Sequence, residues 1–161
     1  MEDIGGLQKY LDGLPETERA LRHQGFTALI QGEECTIPTL RKQLALGEHE
    51  IRQTLAVMEK RGTLVWDHER DSLAATGGLS LHPTRHSLHT NGQDLFAWCA
   101  VDAVGIPAAL SMDAVIHSSC HACDRPVSVQ IDQGHLRGSD PTDLMVWVVA
   151  GDPSQSVSGH T

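Results

Sequence analysis

Aromatic side chains are scarce in this chain: two Phe, one Tyr and three Trp among 161 residues. A core built without them has to come from Leu, Val, Ile and Ala. Cations are also few, with 12 Lys and Arg against 21 Asp and Glu and a formal net charge of -9. That balance excludes a surface built mainly to neutralise phosphates and disfavours docking on anionic lipid, so neither nucleic acid nor membrane is expected as a partner. No apolar run approaches the roughly 18 residues needed to span a bilayer. The opening MEDIGGLQKYLDGL is acidic where a secretion signal is basic and lacks a continuous apolar stretch, so the expected compartment is the cytoplasm. Cysteine is limited to Cys35, Cys99, Cys120 and Cys123, too few and too uneven for a disulfide scaffold. In a reducing compartment these four are thiols that pack, bind metal or catalyse.

The length allows one domain or two small ones. Ile4, Leu7, Leu11 and Leu14 recur at helical spacing, and Pro15 to Ile30 reads as a second helix that Gly25 would weaken. Thr36 or Thr39 can cap a short helix, Gly47 makes a turn, and Ile51, Leu55 and Met58 form the buried stripe of a longer helix ended by Gly62. A hairpin across DHERD follows, which completes a winged-helix-like order of elements. The longer helix sets Glu48, Glu50 and Glu59 against Arg52, Lys60 and Arg61, close to neutrality, so a structural role is favoured over reading DNA. From Gly78 onward, alternating stretches and the turn Asn91-Gly92 predict two strands leading to a helix capped by Asp94 and stopped by Gly105 and Pro107. AVIHSSCHACDRPVSVQI reads as strand, knuckle and strand, and DLMVWVVA as a last strand before a polar tail. The expected fold class is therefore α+β: a helical winged-helix-like part over residues 1–77, then a small mixed or antiparallel sheet with a central buried helix over residues 78–161.

Three groups of residues could carry chemistry. Cys99 and Asp102 stand three apart in an apolar run, on one face of the expected helix. No fold requires that pair, because burying a lone carboxylate costs several kcal/mol or forces its protonation. Cys99 by itself could be a small core hydrophobe, but with Asp102 it reads as a soft nucleophile or metal ligand beside a proton donor. The second group is Cys120-x-x-Cys123 with His117 and His121 near it. It is half of a zinc ribbon without the second Cys-x-x-Cys, and two packed thiols steadying a turn is the favoured reading over structural zinc or a redox pair. Cys35 follows Glu33 and Glu34, whose charges should raise its pKa and leave it inert. Most of the ten histidines, among them His82, His86 and His89, read as solvated surface residues.

The stretch from Gly78 to Leu110, centred on LFAWCAVD, resembles the Tyr/Phe-Ala-Trp-Cys-Ala-x-Asp signature of the alkylmercury (organomercurial) lyases. The spacing from Cys99 to Cys120 and the strand RPVSV are similar as well, and the helical front half agrees less specifically. The resemblance implies a protein that cleaves carbon–mercury bonds by protonolysis, releasing a hydrocarbon and Hg(II), in mercury detoxification. It implies that Cys99 binds mercury as a thiolate, that Asp102 delivers the proton and that Cys120 is structural. It further implies no organic cofactor, free thiols as co-substrate and mercuric reductase as the acceptor of Hg(II). The family also takes a second mercury-gripping cysteine from beyond the last strand. No cysteine follows Cys123 here, so either the core is C-terminally short, or Cys120 or Cys123, otherwise structural, stands in as a substitute thiol, or this member binds without turning over. The alternatives are a non-catalytic mercury- or metal-binding relative, or a winged-helix metal-responsive regulator.

Overall fold

A computed structural model describes residues 12–146. Most of the expected helix at Ile4 to Leu14 lies outside those residues, as does the second half of the expected last strand, DLMVWVVA; its first half, residues 143–146, is described and is a turn followed by irregular chain rather than strand. The described chain is α+β, with three helices leading into an antiparallel sheet that carries a fourth helix on one face.

Helix α1 spans Glu16–Gln31, with Pro15 just before it and two carboxylates in its first turn, both favourable at a helix N-terminus. It ends at Gly32, whose left-handed φ of 68° lets its own N–H and that of Glu33 reach the carbonyls of Leu29 and Ala28. Gly25 does not interrupt α1. A β-carbon there would lie 2.6 Å from Cδ2 of Leu73, so the glycine is where the helix meets the sheet closely. Helix α2, Ile37–Leu44, is capped by the Thr36 hydroxyl, and α3, Glu48–Lys60, buries Ile51, Leu55 and Met58 as expected. The carboxylate of Glu18 is buried between α1 and the end of α3, where it meets Arg22 at 3.4 Å and Arg61 at 3.0 Å.

Strands β1, Leu64–Asp67, and β2, Ser72–Thr76, form the expected hairpin. β2 pairs onward with β3, Leu79–Ser80, so the hairpin is one end of the common sheet rather than a free wing. Two arginines of the helix pair are held by neighbouring carboxylates. Arg52 bonds to Glu48 at 2.9 Å and to Asp71 in the hairpin, and Arg41 meets Glu48 at 3.6 Å. This arrangement accords with packing rather than phosphate binding.

The remaining strands are β4, His86–Thr90; β5, Gln93–Ala97; β6, Ala114–Ser119; β7, Pro126–Asp132; and β8, His135–Asp140. Their order in the sheet is β1-β2-β3-β5-β4-β6-β7-β8. Helix α4, Ala100–Ala109, lies on the sheet. Three expectations fail here. Asp94 is not a helix cap: Asn91 and Gly92, both at positive φ, fold residues 93–97 back onto β4, with Leu95 opposite Leu88 and Asp94 paired to His89 at 2.7 Å. The apolar run is thus half strand and half helix. Nor does Pro107 stop the helix. It lies two residues before the end of α4, where one backbone hydrogen bond is lost and its ring is buried. The helix is not centrally buried either, since only Ala103 and Pro107 are fully covered. β8 was not expected, because HLRGSD is polar and exposed, as suits a strand at the end of the described sheet.

Candidate active site

Cys99 is not inside the helix but is its N-cap, in extended backbone conformation, and Asp102 occupies the third helical position. The backbone N–H of Asp102 donates to Sγ of Cys99 at 3.4 Å, and the thiol donates to Oδ2 of Asp102 at 3.1 Å. The Asp102 carboxylate also accepts the backbone N–H of Cys99. Together these contacts form a capping box in which sulfur replaces the usual hydroxyl. The pair therefore has a structural use that its sequence did not suggest, since the cap motif is read from Ser or Thr. Helical spacing placed the two side chains together correctly; the geometry that joins them is a cap.

Burial raises the pKa of Asp102, and its hydrogen bonds from Cys99 offset only part of that rise. Cys99 is raised as well, chiefly by burial and also by the adjoining carboxylate. The N–H groups of Asp102 and Val101 pull the other way and do not win. The resting state is a protonated thiol sharing its proton with the carboxyl, rather than a free thiolate.

Gly78 completes the site, a role that its place at the start of the motif does not reveal. Its φ is +88°, its carbonyl accepts the N–H of Trp98, and a β-carbon on it would lie 2.6 Å from Cγ and Oδ1 of Asp102. Gly77 clears space in the same way for Phe26, where the corresponding distance is 2.9 Å to Cδ2. The signal was the Gly-Gly doublet itself. Phe26, Val101, Gly105, Ile106 and Leu110 line an open apolar cleft of about 260 Å³ that reaches Asp102. A larger hollow of about 480 Å³ lies at the other end of β4, beside Asn91, and is lined by His89, Asp113, Asp132 and Arg137 among others. It contains no thiol and none of the chemistry above.

Cys120 and Cys123 sit in the turn between β6 and β7, as expected, and both are free. Among the described residues no three His, Cys, Asp or Glu side chains gather as a metal-ion site. The N–H groups of Ala122 and Cys123, with the Cys123 thiol, bring the Cys120 pKa below its ordinary value. Cys35 is held high, at about 11, by burial rather than by Glu33 and Glu34. His86 is also corrected: it is buried, with Nδ1 2.5 Å from Oγ of Ser118, Nε2 unpartnered and its pKa lowered by that burial. The surface reading failed because β4 turns His86, Leu88 and Thr90 inward together.

These differences fix an order of reactivity. At neutral pH, iodoacetamide should label Cys120 about tenfold or more faster than Cys99, and Cys35 only on unfolding. Peptide mass spectrometry over time measures this, and fastest labelling at Cys99 would mean that the cap N–H groups outweigh burial.

The fold and site define a class: an α+β protein with a soft thiol and a shielded acid in contact at a helix cap beside an apolar cleft. Residues 79–160 match the family described as MerB, alkylmercury lyase, and the chain belongs to that family. It is 26% identical over 129 residues to an alkylmercury lyase of Streptomyces lividans, covering 80% of this chain and 58% of that protein. It is 32% identical over 136 residues to one of Bacillus cereus, covering 82% and 60%. The chain thus spans about three fifths of these relatives. A crystal structure of the mercury-bound form of MerB2 superposes with a TM-score of 0.77 at 26% identity, over 85% of this chain and 66% of that one. No helix among the described residues is long and apolar enough to cross a membrane.

Proposed function

We propose that this chain carries the reacting residues of an organomercurial lyase, with residues 78–161 as the catalytic core and mercury detoxification in the cytoplasm as its role. The observation that supports this most directly is the 3.1 Å contact between the Cys99 thiol and the half-buried Asp102 carboxyl. The substrate is an alkyl- or arylmercury compound whose organic group rests in the apolar cleft beside Asp102.

In the first step the Cys99 sulfur forms a bond to mercury and displaces a weaker ligand. The thiol proton passes to Asp102, along the hydrogen bond already present. Mercury is soft and thiolate is the softest protein ligand, so capture is favoured even from a protonated thiol. In the second step Asp102 gives that proton to the carbon bound to mercury. The carbon–mercury bond breaks, hydrocarbon leaves, and Hg(II) stays on Cys99. Burial raises the Asp102 pKa, so the carboxylate takes the thiol proton more readily than an ordinary one and holds it until it passes to carbon, the role a general acid needs. Small free thiols supply the second ligand to Hg(II) and carry it away, without an organic cofactor, to an acceptor such as mercuric reductase.

The test is incubation with an organomercurial and excess small thiol, with hydrocarbon measured by gas chromatography. Cys99→Ser should fold normally, because serine is a better N-cap, and should release no hydrocarbon above the uncatalysed rate. Equal release by the variant and the unaltered chain would end the proposal.

A further inference from the structure

The register of the sheet places the two thiol groups at one end of it. β5 and β6 both pair antiparallel with β4, so they run in the same direction. Ala97 of β5 lies opposite His86 of β4, and His86 bonds in turn to Ser118 of β6. Cys99 is two residues beyond Ala97, and Cys120 is two residues beyond Ser118. With one strand between them, the two segments are roughly 10 Å apart across the sheet.

The turn that holds Cys120 and Cys123 is built rather than loose. The N–H of Cys120 donates to the Arg125 carbonyl at 2.9 Å, and the N–H of Asp124 donates to the Cys120 carbonyl at 2.8 Å. Arg85, just before β4, clamps the turn from the side, bonding Ser119 Oγ at 2.8 Å and Asp124 Oδ1 at 3.0 Å. Cys120 is half-buried and Cys123 exposed, and both are free thiols three residues apart in this clamped turn. One clamped, partly open turn thus presents two free thiols, and among the described residues no cluster of three or more His, Cys, Asp or Glu side chains gathers there. Zinc needs four ligands, usually all from protein at a structural site. A two-thiol site suits a soft d10 ion that is satisfied by two sulfurs.

We propose that Cys120 and Cys123 form a second, two-coordinate thiolate site that accepts Hg(II) after it leaves Cys99. The identity of the cargo rests on the lyase reading; the site itself does not need carbon–mercury cleavage. The transfer is a ligand exchange: two sulfur–mercury bonds form as two break. Each cysteine thiol gives its proton to the thiolate it displaces, and no electrons move.

The experiment loads the full chain carrying Cys99→Ser with mercuric chloride in excess small monothiol, then measures mercury kept after gel filtration. One Hg(II) per chain is expected. Adding Cys123→Ser should weaken retention about 100-fold or more, since two linked sulfurs gain from effective concentration and one does not. Cys123 is exposed, so this variant should fold, and adding Cys120→Ser as well leaves only buried Cys35 as a control. Retention unchanged by Cys123→Ser would overturn the site. So would zinc displacing mercury from it, or a disulfide between the two cysteines in the presence of the monothiol. Hydrocarbon release by the unaltered chain is read in parallel. Release with no mercury held at the turn sinks this site alone, whereas retention without release sinks the lyase reading alone.

Discussion

Asp102→Asn should leave capture of an organomercurial within a few-fold and slow hydrocarbon release by about 10²–10⁴-fold, the range a positioned general acid contributes. The asparagine amide oxygen can still accept the Cys99 N–H and thiol, so the cap and the mercury ligand survive while the transferable proton is gone. Single-turnover release from protein preloaded with the organomercurial separates the two steps. Loss of capture together with release would mean that Asp102 acts through the fold, and unchanged release would remove it from the chemistry. The pH profile gives a second reading. The Asp102 pKa is raised in the fold, so release by the unaltered chain should fall as pH climbs through that raised value. Stability follows the same sign: the contribution of the protonated carboxyl is fully present below the ordinary carboxylate pKa and is lost as pH rises through the folded value. Asn cannot ionise, so the variant should gain stability relative to the unaltered chain as pH rises over that window, measurable by urea melts.

How far the sequence could be read depended on how local each signal was. Thr36, Gly47 and Gly62 mark helix ends through short-range backbone chemistry, and α2 and α3 appear where those residues put them. Asn91-Gly92 marks its turn just as locally, but the residues after it form a strand where their apolar run suggests a helix. DLFAWCAVDAVGIP is apolar throughout, and periodicity cannot tell a buried strand from a helix in such a run. Only pairing across the turn, Leu95 against Leu88, decides it. Cys99 and Asp102 were identified as a pair from their types and spacing, yet the cap that holds them was hidden because cysteine is not an expected N-cap. His86 could not be placed without knowing which face of β4 the sheet buries. The fold class survived these errors because strand and helix alike turn their apolar residues toward the same core.

Gly78→Ala should cost more in turnover than in stability, and this separates a positioning residue from a turn residue. At a φ of +88° any side chain is strained, at about 1–2 kcal/mol. The added carbon would also stand 2.6 Å from Cγ of Asp102, closer than real contacts allow, so the carboxyl must move. Displacement of a reacting group by about 1 Å can cost 10²-fold, and hydrocarbon release should fall by about that factor. Gly92→Ala is the matched control. Its φ of +73° brings similar strain, but nothing lies within 4 Å of the new carbon. Both variants should therefore lose comparable stability in urea melts, while only Gly78→Ala loses turnover. Its rate of Cys99 alkylation should change too, because the carboxyl that holds the thiol proton has shifted. Equal losses of turnover in the two variants would assign Gly78 to the turn alone. Normal turnover in Gly78→Ala would show that Asp102 has room to move without leaving its reacting position.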